Sequence, residues 1–290
     1  RQTYYCFKDD KFYASSSDKL LLDCLGINLE MDDEKRLLAK SNYFLKIHEY
    51  WLLGENDWDN RLKKLLPNYY LNISKAYKER FPVFVPQTND KRQLEKEILN
   101  ILKNSISAYS KRYDLMLGLT SGYDSRLLLA SSISQKNVIK YFTFNRDDTY
   151  VKSDVNVAKQ LAKTYALNYQ SIETDNLTPD FKKHFSDQFL VPRLLAKTKN
   201  IQWFWKERLS KTIVVSGFGG ELIRGFYNSE HFSNSKSICK AIEYEPNTLH
   251  LKALDSWLKP AKDYSNKNKL LISDLFYLEI RLGKWGNKMA

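Results

Sequence analysis

Between residues 90 and 217, short apolar runs alternate with apolar residues at helical spacing. The apolar runs predict strands at 115–119, 137–144, 168–174 and 212–217. Apolar residues at helical spacing predict helices through Leu94, Ile98, Ile101, Leu102, Ile106 and Tyr109, at 126–134, at 153–167, and over about 178–210. Strands that alternate with helices are typical of a parallel sheet covered by helices on both faces. The predicted fold class is therefore α/β, with a doubly wound parallel sheet.

The front of the chain, residues 1–85, has a different pattern. Its first segment, TYYCFKDDKFYASS, predicts an aromatic β-hairpin that turns at residues 8–10. Two helices are predicted after it, with Ser17 and Asp32 as their N-caps. Two prolines in the segment RFPVFVPQTND then indicate a domain boundary. We expect a small, partial, β-rich domain at 1–88 and a second domain at 89–290.

The loop after the first of the parallel strands is the strongest candidate for chemistry. Residues 120–125, TSGYDS, separate two apolar runs at a predicted strand-to-helix turn. Ligands of parallel α/β sheets bind beyond the carboxyl ends of the strands. Small residues let backbone N–H groups approach a ligand, and the free N–H groups and dipole of the following helix suit a phosphate. The hydroxyls of Thr120, Ser121 and Ser125 add further donors.

Asp124 is the unexpected member of this loop. A carboxylate repels a phosphate unless a cation such as Mg²⁺ lies between the two. The simpler alternative is that Asp124 or Ser121 caps the following helix and has no other role. The loop is not a Walker A motif, because the required lysine is absent.

Composition and charge limit the partners and the location. The net charge of +12 is compatible with a nucleic-acid partner, but the basic residues are spread along the chain, which favours a solvated lysine-rich surface. No window approaches 18 apolar residues, so no membrane span is expected. The three cysteines are far apart, which argues against disulfides and zinc sites and favours a cytoplasmic location.

Two segments together resemble a known family. The segment LTSGYDSR is similar to the S-G-G-x-D-S pyrophosphate loop of the ATP pyrophosphatase (PP-loop) superfamily. The segment VVSGFGGELIRGFY, residues 214–227, resembles the S-G-E-G-x-D-E-L-x-x-G-Y segment of the asparagine synthetase family. Between them, YFTFNRDDTYVKSDVNVAKQLAKTYAL resembles that family's adenosine-binding strand and helix. The resemblance covers roughly residues 90–290.

The resemblance implies a fold and a reaction. The fold is the adenine nucleotide alpha hydrolase-like (PP-loop) architecture. In the reaction, ATP adenylates a small-molecule carboxylate, pyrophosphate leaves, and an amine or ammonia attacks the activated carboxyl group. ATP and Mg²⁺ are therefore the expected cofactors.

The resemblance also implies roles for individual residues. ATP binding is expected at Leu119, Thr120, Ser121, Gly122, Asp124, Ser125, Phe142, Thr143, Phe144, Ser216, Gly217 and Gly219. Among these, Phe142, Thr143 and Phe144 are expected to line the adenine, mostly through backbone contacts. Asp124 and Glu221 are expected to hold Mg²⁺, and Arg224 to meet a phosphate, which makes these three the expected catalytic residues.

The chain also departs from the family pattern. Phe218 stands where the family has a glutamate, and Gly220 where it has the aspartate of its D-E pair. Two alternatives therefore stay open. One is a tRNA-modifying PP-loop enzyme that adenylates a nucleobase, which the charge favours and the absence of C-x-x-C pairs disfavours. The other is a non-catalytic descendant that binds nucleotide.

The N-terminal segment resembles the end of the family's glutamine-hydrolysing domain. The resemblance is carried by LLGENDWDNRLKKLLPNYYLNISKAYKERF. It implies that residues 1–88 are a remnant of an amidotransferase-like domain whose beginning lies upstream. The family's nucleophile is an N-terminal cysteine, whereas Cys6 is internal and lies in a predicted strand. We therefore expect no glutamine hydrolysis by this chain.

Overall fold

A computed structural model describes the fold of residues 2–47, 50–83, 90–146, 149–195, 197–217, 219–220 and 225–283. The strands are β1 (Thr3–Lys8), β2 (Lys11–Ser15), β3 (Lys63–Leu65), β4 (Tyr69–Asn72), β5 (Tyr77–Arg80), β6 (Asp114–Gly118), β7 (Ile139–Asn145), β8 (Tyr169–Glu173) and β9 (Thr212–Val215). The helices are α1 (Asp18–Leu25), α2 (Asp33–Lys40), α3 (Asn42–Lys46), α4 (Lys91–Ser110), α5 (Tyr123–Ser132), α6 (Thr149–Tyr165), α7 (Pro179–Ser186), α8 (Thr198–Glu207), α9 (Ser235–Ala241), α10 (Thr248–Asn268) and α11 (Ile272–Phe276). In the described part of the chain, no helix is both long enough and apolar enough to cross a membrane.

The chain divides into two compact units. The first, called here the sheet unit, comprises Phe84–Leu177 and Ala196–Gly220. The second, called the mixed unit, comprises Arg1–Val83, Thr178–Leu195 and Glu221–Ala290. In the structure, residues 178–195 and 221–290 belong to the same compact unit as the N-terminal residues. The sequence analysis instead placed residues 178–195 and 221–290 in the second domain, at 89–290. The relationship of residues 1–88 to an amidotransferase-like domain stays a prediction.

The sheet unit contains a four-stranded parallel sheet in the order β8-β7-β6-β9. The chain runs from β6 outwards through β7 to β8, and it then returns to the other side of β6 as β9. This is the strand order of Rossmann-like α/β folds. It creates a topological switch point between β6 and β9, where the two strands lead their loops in opposite directions. The predicted parallel sheet is confirmed.

Helices cover both faces of this sheet. On one face, side chains from the sheet region form a core with Ile106 of α4, Leu129 of α5 and Ala158 of α6. The side chains from the sheet region are those of Leu115, Leu117, Leu119, Ile139 and Tyr141. On the other face, Met116, Phe142 and Ile172 of the sheet form a core with Trp203 and Phe204 of α8 and with Leu209, which follows that helix. The alternation of Tyr141 and Phe142 between the two cores is the period-two pattern of a strand buried on both sides.

The predicted helix over 178–210 is wrong in its continuity. The structure has two helices in this range, α7 and α8, and residues 187–195 between them are not helical. Pro192 lies in the break. Proline lacks the backbone N–H that a helix interior needs, and its ring clashes with the preceding turn.

The mixed unit begins with antiparallel strands in the order β2-β1-β3. The predicted hairpin is confirmed, with Lys8 opposite Lys11 and both Asp9 and Asp10 at positive φ, 50° and 58°. Two consecutive residues at positive φ form the tight turn whose twist suits a hairpin. The predicted N-caps are also confirmed, because Ser17 and Asp32 accept hydrogen bonds from the backbone N–H groups of Leu20 and Lys35.

The core of the mixed unit is built from both ends of the chain. Tyr50, Trp51 and Leu53 from the N-terminal part lie in one apolar cluster with Trp257 and Phe276 from the C-terminal helices. This shared core explains why residues 221–290 group with residues 1–83.

Candidate functional site

Two loops leave the same edge of the parallel sheet at the switch point. The first loop, residues 119–122, connects β6 to α5, and the second loop, residues 216–220, follows β9. Because β6 and β9 pair in parallel, with Leu117 opposite Val215, both loops begin at the carboxyl ends of adjacent strands. The prediction that the two segments lie side by side at one sheet edge is confirmed for the described residues.

The second loop lies directly against the N-terminus of α5. A Cβ atom placed on Gly217 would be 2.7 Å from the backbone N of Ser125 and 2.8 Å from the carbonyl carbon of Asp124. Non-bonded carbon atoms prefer separations of about 3.5–4.0 Å, so a side chain does not fit at this position. A Cβ on Gly220 would overlap the carboxyl group of Asp124. The carboxyl group of Asp124 therefore faces the backbone of the second loop.

The hydroxyls of Thr120 and Ser125 hold the first loop in shape. The N–H of Thr120 donates to Ser125 Oγ over 3.1 Å, and the hydroxyl oxygens of the two residues are 3.0 Å apart. The N–H of Gly122 donates to Thr120 Oγ1 over 3.2 Å. These hydroxyls are engaged within the loop, so their expected contact with a phosphate stays a prediction.

The N-terminus of α5 has no side-chain cap. Gly122 is the N-cap residue, with extended backbone angles, and no side chain accepts a cap hydrogen bond there. Ser121 is not the N-cap residue, because its hydroxyl and its N–H both donate to Asp154, so the simpler interpretation of Ser121 as a helix cap is wrong. Asp124 lies in the first turn, where its charge also interacts favourably with the helix dipole. An uncapped helix N-terminus is a common binding site for anions.

Asp154, on α6, is a member of the site that the sequence analysis did not identify. The backbone N–H of Ser121 donates to Asp154 Oδ1 over 2.9 Å, and the Ser121 hydroxyl donates to the same oxygen. In the sequence, Asp154 is one of several polar residues on a helix recognised by its apolar face. Nothing in the spacing along the chain indicates that it meets a loop 33 residues away.

The residues expected at the adenine contribute their side chains to the protein core. Phe142 is 5% exposed and contacts Phe144 edge to face, with ring centroids 5.3 Å apart. Thr143 is also buried, and its hydroxyl donates to the carbonyl of Leu119, whose own side chain is fully buried. The side chains of Phe142, Thr143 and Leu119 are therefore structural. The expectation that an adenine would meet mainly backbone groups here is compatible with this packing and stays a prediction.

Part of the expected site lies outside the described residues. This holds for Phe218, Glu221 and Arg224. The Asp124–Glu221 pair expected to bind Mg²⁺ therefore stays a prediction. Within the described residues, no group of three or more His, Cys, Asp or Glu side chains is arranged to hold a metal ion.

The first turn of α5 offers two kinds of group that could bind an anion and a divalent cation. The first turn of α5 supplies backbone N–H groups without a cap, and Asp124 supplies a hard oxygen ligand of the type Mg²⁺ prefers. A scan against protein-family models gives no match for this chain, and a search among curated proteins gives none either.

Proposed function

We propose that this protein is an ATP-dependent, AMP- and pyrophosphate-forming ligase with PP-loop architecture in its sheet unit. It adenylates a small-molecule carboxylate and transfers an amine or ammonia to it, as the asparagine synthetase family does. The observation that carries the proposal is the contact of the two loops at the switch point. Gly217 and Gly220 lie against the first turn of α5 and the carboxyl group of Asp124, so the two motif-like segments are in contact, as a shared site requires.

The residues of the chain have distinct roles in this proposal. The backbone N–H groups of the first turn of α5 bind the phosphate groups that leave as pyrophosphate, and they stabilise the negative charge that develops there. Asp124 binds Mg²⁺ together with Glu221, the residue that follows Gly220 in the chain. When bound, Mg²⁺ neutralises phosphate charge and orients the leaving group. Arg224 is proposed to contact a phosphate.

Glutamine hydrolysis is not part of the proposal. Cys6 is buried in β1, and burial raises the pKa of its thiol. A thiol with a raised pKa supplies less of the nucleophilic thiolate. Cys6 is therefore not proposed as a nucleophile for glutamine hydrolysis.

The first test is calorimetric titration of the protein with ATP, with and without Mg²⁺. We expect binding that depends on Mg²⁺. Asp124→Asn keeps the shape of the side chain and removes its charge, so it should weaken Mg·ATP binding at least about tenfold while the fold persists. Asp114→Asn is the matched control, because Asp114 lies at the amino end of β6, whereas the first loop leaves the carboxyl end. If Asp124→Asn binds Mg·ATP as well as the parent does, the metal role of Asp124 is refuted.

The second test is exchange of labelled pyrophosphate into ATP in the presence of candidate carboxylates. The ligase proposal predicts exchange that depends on a carboxylate, and turnover that releases AMP rather than ADP. Exchange that depends on tRNA would instead support a tRNA-modifying enzyme, which the net charge of +12 favours. Mg·ATP binding without exchange for any substrate would support a non-catalytic nucleotide-binding protein.

A further inference from the structure

Ser121 directs both of its hydrogen-bond donors at one atom. Its backbone N–H lies 2.9 Å from Asp154 Oδ1, and its hydroxyl donates to the same oxygen. Hydrogen bonds to an ionised acceptor are about twice as strong as those between neutral groups. This pair of bonds therefore connects the first loop strongly to α6.

Asp154 reaches the loop from a rigid element. It lies in α6, a helix of 17 residues that packs on the sheet. The helix is fixed by Val155, Ala158 and Ala162, which are 4%, 0% and 8% exposed. Moving the carboxylate would require moving this packed helix, because the backbone at Asp154 is flanked by the buried Val155.

We propose that Asp154 is a positioning residue for the anion site, and this inference rests on the proposed function. By engaging both donors of Ser121, the carboxylate sets the path of the first loop into α5. The N–H groups of the first turn of α5 then point at the anion without a reorganisation cost on binding. Ser121 then shapes the loop and does not contact the phosphate.

A different role for the same contact makes the opposite prediction. A carboxylate that accepts from a loop N–H and a hydroxyl resembles an anion bound to that loop. If Asp154 only occupies the position of a phosphate, its removal exposes the donors of Ser121, and phosphate binding becomes tighter. If Asp154 positions the loop, its removal makes phosphate binding weaker.

Two substitutions at residue 154 separate shape from charge. Asp154→Asn keeps an oxygen that accepts both bonds from Ser121, whereas Asp154→Ala keeps none. Calorimetry with inorganic pyrophosphate and Mg²⁺, and with Mg·ATP, should show Asp154→Ala about tenfold weaker than the parent. Asp154→Asn should bind within about threefold of the parent, or more tightly because a repulsive charge is lost. Asn156→Ala, an exposed position on the same helix, is the control and should change neither affinity.

A double-mutant cycle tests whether Asp154 acts through Ser121. Ser121→Ala removes the hydroxyl and keeps the N–H, so it should weaken binding less than Asp154→Ala does. Added to Asp154→Ala, it should have almost no further effect, because the partner of the hydroxyl is already gone. Independent, additive effects of the two substitutions would overturn the inference. Unchanged or tighter binding by Asp154→Ala would also overturn it.

Amide hydrogen exchange of the segment 119–126 provides a readout that does not depend on nucleotide. Exchange should accelerate in Asp154→Ala and remain as in the parent in Asp154→Asn, because only the first variant loses the acceptor of the Ser121 N–H. If the parent binds no Mg·ATP, the proposed function fails, and exchange alone decides whether Asp154 holds the loop. Equal exchange in the parent and in Asp154→Ala would then overturn the inference.

Discussion

Two glycines of the second loop are needed for different physical reasons. Gly219 has φ of +99°, a backbone conformation that residues with a side chain rarely adopt. At Gly217 the limit is space, because its position contacts the backbone of Ser125 and Asp124. A methyl group at 217 would meet backbone atoms, which cannot rotate away as the end of a flexible side chain can.

The close approach at Gly217 gives a prediction about a single methyl group. Gly217→Ala should push the second loop away from α5, lowering the free energy of unfolding by about 1–3 kcal/mol. Gly118→Ala is the matched control, because its Cβ would lie 3.8 Å from the carbonyl oxygen of Val215, an ordinary contact. Urea unfolding measures the stability of both variants, and calorimetry should show that only Gly217→Ala weakens Mg·ATP binding. Equal stability of the two variants would contradict the loop contact.

At the scale of single residues, the residue types identified the candidate loop, but they did not identify its contacts. The small and acidic character of residues 120–125 identified the loop, because phosphate-type turns restrict which residue types can occur. The N-cap of α5 was not identified from the sequence, because Gly122, which holds that position, has no side-chain acceptor. The partnership of Ser121 with Asp154 was not predictable, because a contact between distant residues depends on how α6 packs on the sheet.

At the scale of elements, α4 shows what a periodic pattern does and does not establish. Apolar spacing over Leu94 to Tyr109 correctly predicted a helix. In the structure only Ile106 of these residues is fully buried, whereas Ile98 and Ile101 are 39% and 64% exposed. Periodicity reports which residues share a face, but the width of the neighbouring surface decides how many of them are covered.

The unequal burial along α4 can be tested with one substitution at two positions. Ile106→Ala should lower the free energy of unfolding by about 2–4 kcal/mol, because it removes buried methyl groups and leaves a cavity. Ile101→Ala should change stability by less than about 0.5 kcal/mol, since its side chain is largely in water and alanine favours the helix. Urea unfolding of both variants makes the comparison. A similar loss at both positions would mean that α4 packs on the sheet through a wider face.

At the scale of the compact unit, a buried carboxylate connects distant parts of the chain. Glu279, fully buried, accepts from Arg80 Nε over 2.7 Å, from the Trp257 indole N–H over 2.7 Å and from Asn68 Nδ2 over 2.9 Å. Arg80 and Asn68 belong to the N-terminal strand region, and Trp257 belongs to α10. The sequence analysis placed these partners in separate domains, because local patterns carry no information about a contact 199 residues apart.

A second buried carboxylate in the mixed unit lies in a less favourable environment. Asp18, the first residue of α1, is 4% exposed, and its Oδ1 accepts from the N–H of Lys19 over 2.7 Å. Burial, and after it the negative charge of Asp57, raises the pKa of Asp18 to about 7. The pKa of an aspartate in an unfolded chain is about 3.9. The folded protein therefore binds this proton more tightly than the unfolded chain does.

This difference predicts the direction in which stability changes with pH. Well below pH 4, Asp18 is protonated in both states and does not change the free energy of unfolding. As the pH rises towards 7, the unfolded chain loses the proton first, so the free energy of unfolding should fall by on the order of 1–3 kcal/mol. Asp57, whose pKa is also raised by burial, contributes in the same direction. Burial lowers the pKa of Lys64 to about 8, so its effect falls above this window.

Asp18→Asn should remove most of this pH dependence. Asparagine keeps an oxygen for the N–H of Lys19 and carries no charge, so the variant should be more stable than the parent at pH 8 and nearly equal to it at pH 4. Urea unfolding at several pH values between 4 and 8 measures the slope. Asp23→Asn, on the same helix with a side chain that is 58% exposed, is the control and should leave the slope of the parent unchanged. If Asp18→Asn keeps that slope, the proton that the folded protein retains does not reside on Asp18, and Asp57→Asn becomes the variant that should remove it.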